Sequence, residues 1–406
     1  MNTQLVECQD CGLRLGLTPL GPGEVAHCPR CAAHLRANGA QDAALALALT
    51  GLVLILLANF MPFLSFGMEG QVDQASLVTG AVALYGDGLW PLSVLIVLLT
   101  VAAPALKLGA TSYVLLAFKR RRPTRILVTL LRWMDELHPW SMIEVYLLGL
   151  FVAYVKLTAL ATVTLGIAVY ALGALVVVMA AVDHFINYDE LWEEVERKGL
   201  AHVPPVRDGV PLARCEVCGL VSADGGAGAH CPRCRARLHR RKPDSIARCW
   251  ALVIAAAILY IPANVYPFLT VISFGAGAPD TILSGVKHLV ESGMWPLALL
   301  VFFASITVPV LKIVGLVLLL VTTQRRSAWH LRERTRLYRI IEAVGRWSMI
   351  DIFMLSILVA LVRLGAIASV APGVGAISFA AVVVTTMFAA MSFDPRLMWD
   401  SAGANR

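Results

Sequence analysis

Long apolar segments alternate with short polar ones along most of this chain of 406 residues. A membrane-spanning helix needs about 17 to 25 predominantly apolar residues, and eight runs have about that length. They lie at about 43–64, 91–118, 140–157, 166–182, 246–268, 294–322, 347–364 and 374–392. The pattern predicts an all-α polytopic membrane protein with eight transmembrane helices.

The same pattern occurs twice. The segment ANFMPFL at 58–64 is matched 205 residues later by ANVYPFL at 263–269, and the tryptophan-proline pair at 90–91 recurs at the same offset. Further along, WSMIE at 140–144 is matched 207 residues later by WSMID. Matches spaced this widely at a nearly constant offset predict a tandem duplication, and so long a period indicates two repeated domains rather than a solenoid.

Eight of the nine cysteines form two matched sets, each with two C-x-x-C pairs. The pairs are separated by 16 residues in the first set and 12 in the second: Cys8, Cys11, Cys28 and Cys31, then Cys215, Cys218, Cys231 and Cys234. Such spacing predicts two structural Zn²⁺ sites, because four thiolates close the tetrahedron and leave no open ligand position. Gly12 and Gly219 suit the turn after the second ligand. The alternative is redox chemistry of isolated C-x-x-C pairs.

These patterns divide the chain into two matched halves. We predict zinc ribbon 1 at residues 1–40, transmembrane repeat 1 at 41–185, a linker at 186–210, zinc ribbon 2 at 211–242, transmembrane repeat 2 at 243–395 and a tail at 396–406. Each repeat is therefore a small four-cysteine zinc ribbon followed by four transmembrane helices.

Charge decides the orientation. The formal net charge is +7, and the basic residues concentrate in the ribbons and in the link between the second and third spans of each repeat. The positive-inside rule places these segments and both termini in the cytoplasm, and four spans per repeat insert both repeats the same way up. We predict no nucleic-acid partner, because no aromatic residues interleave with the basic ones. The first basic link, from Lys119 to Met134, is either a surface helix or a solvated linker.

Charged residues at matching positions lie within the predicted spans. A charge at the bilayer centre costs about 2.5–3.5 kcal/mol on insertion scales, so these residues need partners. We predict that the second and third spans of each repeat pair through Lys107–Glu144 and Lys312–Asp351. Such pairs either only hold the helices together or form a polar path or head-group site. A second cation near the far end of span three, Lys156 or Arg363, either joins this network or extends to the outer surface.

Each first span ends in an asparagine followed three residues later by proline, at Asn59 and Asn264. Proline disfavours helix just before it and removes a backbone donor. The motif marks either a helix end at the membrane interface or an unwound segment that lines a cavity.

The duplicated set of motifs resembles the paraquat-inducible protein A family. The resemblance rests on the four-cysteine ribbon with HCPRC and on the A-N-x-x-P-F-L, W-P, P-x-L-K and W-S-M-I-[DE] motifs. It implies an inner-membrane protein of Gram-negative bacteria, partnered with a mammalian-cell-entry (MCE) family protein that forms a periplasmic tunnel. It also implies a role in moving phospholipid between the inner and outer membranes. The chain departs from the pattern between Asp183 and Trp192, where the first repeat ends.

Three functions remain open at this point. The chain is a component of an envelope lipid-transport system, a membrane anchor that holds the tunnel protein without transport, or a membrane thiol-redox protein. The sequence contains no G-x-x-x-x-G-K-[ST] motif, so ATP hydrolysis would need another subunit. We expect a transporter rather than an enzyme.

Overall fold

The fold is taken from a computed structural model. It describes residues 4–18, 21, 24–37, 40–68, 71–120, 124, 126–158, 162–205, 210–224, 226, 228–273, 276–361 and 368–403. The helices of the first repeat and its linker are α1 (Gln41–Phe60), α2 (Thr79–Gly86), α3 (Trp90–Lys119), α4 (Ile126–Leu137), α5 (Ile143–Thr158), α6 (Ile167–Phe185) and α7 (Tyr188–Arg197). Those of the second repeat and tail are α8 (Ser245–Val265), α9 (Ile282–Glu291), α10 (Trp295–Gln324), α11 (Leu331–Gly345), α12 (Ile350–Leu361), α13 (Val374–Ser392) and α14 (Arg396–Ser401).

Seven helical stretches within the described residues are long and apolar enough to cross a membrane. They are α1, α3, α6, α8, α10, α13 and the segment Leu331–Leu361, which joins α11 to α12 through a short 3₁₀ turn. The third predicted span of repeat one is α5, whose 16 residues extend about 24 Å. The two predicted repeats are confirmed by the order of these elements: α6 and α13 begin and end 207 residues apart.

Pro104 and Pro309 lie inside the long second spans α3 and α10 without ending them. Each follows a π-helical turn, at Leu98–Ala102 and at Phe303–Thr307. Proline cannot donate to the preceding turn and clashes with it, and a wider π turn relieves that conflict. Each second span is therefore one continuous helix with a local widening before its proline.

Small antiparallel sheets cap the bundle at both ends. At one end, β1 (Gln4–Glu7) pairs with β2 (Arg14–Leu17), β3 (Val25–His27) with β4 (His34–Ala37), and β8 (Leu212–Arg214) with β9 (Val221–Ala223). At the other, β5 (Leu64–Met68) lies between β6 (Gln71–Ala75) and β7 (Thr162–Leu165), and β10 (Leu269–Ser273) lies between β11 (Ala276–Asp280) and β12 (Ala368–Pro372). We call these ends the ribbon end and the sheet end. The two three-stranded sheets and the short helices α2 and α9 were not predicted from the sequence.

The third spans of the two repeats meet in the core. Every residue of α12 is buried, and α12 packs against both α5 and α2. Glycines allow the close approach: a Cβ built on Gly149 of α5 would lie 3.0 Å from the Cβ of Phe353. The two repeats therefore form one structure through α12, rather than two bundles joined by a linker.

Gly80 tests this packing. A Cβ on Gly80 would lie 2.3 Å from Ser356 Oγ and 2.8 Å from the Ser356 carbonyl oxygen, so Gly80→Ala must push α2 away from α12. We expect a loss of about 1–3 kcal/mol in the free energy of unfolding, measured by denaturant titration in detergent. Gly86→Ala in the same helix is the control, because a Cβ there meets nothing within 4 Å. Equal stabilities of the two variants would contradict this packing.

Candidate functional site

Each set of four cysteines forms a compact, buried cluster. Within each cluster the four sulfurs lie within 4.8 Å of one another. The Sγ–Sγ distance is 3.6 Å for Cys8–Cys31 and for Cys11–Cys28, and 3.4 Å for Cys215–Cys234. A tetrahedral metal with metal–sulfur bonds of about 2.3 Å requires sulfurs about 3.8 Å apart, so both clusters have the shape of a four-thiolate metal site. Each could hold a metal ion.

The turns of the ribbons explain how the thiolates converge. In each C-x-x-C pair, the residue after the second cysteine donates its N–H to the carbonyl of the first, and it has a positive φ. Gly12 and Gly219 have φ of 71° and 69°, so the predicted role of these glycines is confirmed. Ala32 and Arg235 adopt the same conformation with φ of 56° and 60°, a conformation that non-glycine residues seldom adopt.

The ribbons are docked across the molecule. The cysteines of ribbon 1 pack in one apolar cluster with residues of repeat two, among them Leu316, Tyr338 and Trp399. Those of ribbon 2 pack with α4 and α7, the ribbon-end helices that follow α3 and α6. Because Leu127, Leu131 and Met134 of α4 are buried in this second cluster, the first basic link forms a helix whose apolar side faces protein.

Arg339 of α11 joins ribbon 1 to repeat two. Its guanidinium donates to Asp10 Oδ2 at 2.6 Å, to the Cys31 carbonyl at 3.1 Å and to Cys31 Sγ at 3.3 Å. Arg30 of the ribbon lies over the ring of Trp399, 5.1 Å from its centroid. A cation that donates to a ligand sulfur offsets part of the negative charge of a four-thiolate metal site.

Arg396 joins both ribbons to the end of α13. It is 3% exposed, and its guanidinium binds Asp394 at 2.8 Å and Glu216 of ribbon 2 at 2.9 Å, with Glu7 of ribbon 1 at 3.8 Å. Burial alone would raise the pKa of Asp394, but the hydrogen bonds and charge of Arg396 outweigh it, and that pKa lies below its usual range. Neither Arg396 nor Glu7 was singled out from the sequence, because each lies outside the apolar runs, where charge is expected.

A narrow cavity opens toward the sheet end between α5, α9, α10 and α12. It measures about 40 Å³, room for a few waters, and its lining is mostly apolar. Asp351 of α12 lies in this lining, 3% exposed, and accepts a hydrogen bond from Ser305 of α10. Lys156 of α5 also lines the cavity and interacts electrostatically with Asp280 and Asp351. Two of the predicted polar residues, one from each repeat, therefore share one site.

Both predicted lysine–carboxylate pairs are wrong. Lys107 binds Asp183 of α6, with its Nζ 2.7 Å from Oδ1, and Glu144 faces Arg346 at 3.7 Å. Lys312 donates to Thr386 of α13 at 2.7 Å. In each repeat the lysine bonds to the fourth span of its own repeat, whereas the acid at the start of span three faces another neighbour, Arg346 for Glu144 and Ser305 for Asp351. Asp183, Thr386 and Ser305 were missed, because a few polar residues within a mostly apolar helix form no pattern that identifies a partner.

The asparagine motifs mark helix ends. Asn59 donates to the Ile55 carbonyl at 2.8 Å and Asn264 to the Tyr260 carbonyl at 2.9 Å, each one turn back in its own helix. Helix α1 ends at Phe60 and α8 at Val265, so the simpler of the two interpretations holds for the described backbone. Arg363 lies outside the described residues.

Comparison with known proteins gives consistent matches over the whole chain. The family described as "Paraquat-inducible protein A" matches residues 41–196 and 246–403. The intermembrane transport protein PqiA of Escherichia coli is 32% identical over 405 residues, which cover 97% of this chain and 95% of that protein. The lipophilic envelope-spanning tunnel protein A of E. coli is 30% identical over 397 residues, covering 97% and 91%. A probable intermembrane transport protein of Haemophilus influenzae is 28% identical over 417 residues, covering 98% and 96%. No solved structure matches this chain.

Proposed function

Because this chain belongs to the paraquat-inducible protein A family, we propose that it is an inner-membrane component of an envelope lipid-transport system. In this proposal it loads phospholipid into, or unloads it from, a periplasmic tunnel formed by an MCE-family protein. The names of two relatives support intermembrane transport and an envelope-spanning tunnel. The chain acts as a transporter and not as an enzyme.

The observation that carries the proposal is the sheet-end cavity around Asp351. A buried carboxylate in an apolar helix is costly, and such residues mark transport paths in membrane proteins. The cavity is too narrow for an acyl chain as it stands. Helix α9 contributes Ile282, Gly285 and Leu289 to its lining, and in this proposal the cavity widens when α9 moves outward.

The proposal also covers the metal in the ribbons and the orientation of the protein in the membrane. We assign Zn²⁺ to both ribbons, because a closed set of four thiolates suits this metal and serves a structural role. When bound, the ion cross-links the two halves of each ribbon, which have too little core to fold by themselves. The ribbon end and both termini face the cytoplasm, which keeps these thiols reduced, and the sheet end faces the periplasm.

A membrane anchor is the second candidate. It is favoured by the ion pairs Lys107–Asp183 and Glu144–Arg346, which are satisfied within the protein and hold helices together. A thiol-redox role is disfavoured by the arrangement of the eight ribbon cysteines in two closed clusters. An anchor needs no cavity and should tolerate removal of the charge of Asp351. The transporter and the anchor therefore predict different effects of a substitution at Asp351.

Asp351→Asn is therefore expected to reduce lipid transport at least tenfold in vesicles that contain the protein and its tunnel partner. The amide preserves the shape of the side chain but removes the charge that faces Lys156. Glu144→Gln is the matched control, because Glu144 occupies the equivalent position in repeat one but its side chain is 38% exposed and outside the cavity. If a folded Asp351→Asn protein transports as well as the control, the anchor is the better interpretation.

Direct capture of lipid tests the same proposal. A diazirine amino acid at Met354, which lines the cavity, should cross-link to phospholipid in cells labelled with radioactive phosphate. The same group at Leu355 is the control, because Leu355 is buried on the same helix but does not line the cavity. Equal labelling at both positions, or none at Met354, would contradict lipid entry.

A further inference from the structure

The two repeats neutralise their buried lysines differently. Lys107 and Lys312 are each 2% exposed at equivalent positions of α3 and α10. In repeat one the counter-ion is Asp183, and the equivalent position of repeat two, 207 residues later, is occupied by Ala390. Among the described residues, Lys312 has Thr386 as its hydrogen-bond partner and no carboxylate within 4.0 Å. Repeat two therefore lacks the internal charge that repeat one provides.

Lys312 lines a cavity at the ribbon end, where the two repeats and ribbon 1 meet. The cavity measures about 260 Å³ and is separate from the narrow one around Asp351. Its lining contains three cationic side chains, Lys312, Arg339 and Arg346, and one acid, Glu342. Ala390, the residue equivalent to Asp183, lies in the same lining, so a carboxylate at this position would face the cavity. The formal charge of the lining residues is therefore positive, and the acids Asp10 and Glu144, which face Arg339 and Arg346, lie outside the lining.

The arginines keep donors for a ligand. A guanidinium has five N–H groups. Arg339 uses some of them on Asp10 and Cys31, and Arg346 is 3.7 Å from Glu144. Because Arg346 remains 33% exposed and Lys312 has one neutral partner, the cavity offers both a fork of donors and a point charge to an anion. Tetrahedral phosphate oxygens suit this combination.

We propose that this cavity binds a phosphate group, which takes the place that Asp183 holds in repeat one. The group is the head-group phosphate of a membrane lipid or free inorganic phosphate. The lipid version rests on the proposed transport function and adds a second lipid contact, in a cavity separate from the one that Asp351 lines. The phosphate stabilises the buried charge of Lys312, so repeat two is complete only when the ligand is bound.

Ala390→Asp tests the proposal by supplying the missing carboxylate. The matched control is Ala390→Asn, which has nearly the same size without the charge. The full chain is purified in a maltoside detergent, and its thermal unfolding is followed by tryptophan fluorescence at constant ionic strength. It is titrated in one arm with dioctanoyl phosphatidylglycerol and in the other with sodium phosphate. A bound ligand raises the melting temperature by mass action.

We expect the wild type and Ala390→Asn to be stabilised at similar ligand concentrations, and Ala390→Asp to need at least tenfold more. A response to phosphatidylglycerol alone identifies a lipid head group, and an equal response to sodium phosphate identifies the free ion. The proposal is overturned if Ala390→Asp responds like the wild type, or if the wild type responds to neither probe. Lipid capture at Met354 separates this proposal from the proposed transport function. If lipid is captured at Met354 but neither probe raises the melting temperature, only the phosphate site is rejected.

Discussion

Replacing Cys8 and Cys11 by serine is expected to remove one of the two zinc ions that we propose and to release ribbon 1 from repeat two. Structural zinc contributes roughly 10–16 kcal/mol to the folding of small metal domains, more than the packing of one ribbon can replace. The cysteines lie in the same apolar cluster as Leu316 and Trp399, so loss of the ribbon exposes that surface. Metal analysis and hydrogen exchange of α11 and α14 measure both effects.

Cys249→Ala is the control for that experiment. Cys249 is the ninth cysteine, buried in α8, and its thiol donates to the Ala389 carbonyl at 3.3 Å. It lies outside both metal clusters, so this variant should keep two zinc ions and a protected α11. A Cys8/Cys11 double variant that retains two ions, or retains none, would contradict two independent sites. Protected α11 and α14 after loss of one ion would contradict the docking role.

Arg396→Met is expected to lower the free energy of unfolding by about 3–5 kcal/mol, because it leaves the buried carboxylate of Asp394 without its cation. The buried carboxylate of Glu7 also loses a neighbouring cation but keeps Arg14 at 2.8 Å. Both acidic side chains are at most 2% exposed. The loss of unfolding free energy caused by Arg396→Met should become smaller at acidic pH. The folded-state pKa of Asp394 is depressed, so its stabilisation is present above the unfolded-state pKa of about 3.9 and is lost as the pH falls through the folded value.

Arg332→Met provides the comparison for Arg396→Met. Arg332 is exposed on α11, where a substitution of this kind changes stability by about 0.5 kcal/mol or less. Denaturant unfolding of both variants at pH 7 and at a series of pH values below about 3.9 separates the buried contribution from a general effect of lost positive charge. Equal unfolding curves for the two variants would mean that Arg396 does not hold the ribbons.

Periodicity and spacing predicted the features that depend on local sequence. The two repeats, the apolar helices and the four-cysteine clusters follow from apolar length and from ligand spacing. The side-chain partners of the buried charges do not follow from the sequence, because they depend on which helices lie side by side in the bundle. Lys107 and Glu144 look like a pair along the sequence, yet Lys107 binds Asp183 since α3 lies beside α6 at that level.

The sheets at the sheet end show a second limit of the sequence. Segments such as Leu64–Met68 and Thr162–Leu165 are too short and too mixed in polarity to be recognised as strands beside long helices. They pair only because the packing of α1 against α6 brings their ends together. The cavity around Asp351 also depends on how the helices pack, since Lys156 reaches it from the other repeat. The sequence pattern therefore does not predict it.

The exchange of ribbons between repeats constrains the order in which the protein can be made. Asp10 and Arg339 are separated by 329 residues, and the rest of the surface that receives ribbon 1 includes Trp399, near the end of the chain. At roughly 5–20 residues per second, the ribosome completes ribbon 1 about 15–60 s before it synthesises that partner arginine. The first segment to emerge therefore completes its contacts only after the last has been synthesised. A gene split between the repeats would yield two halves, each carrying the ribbon that the other needs.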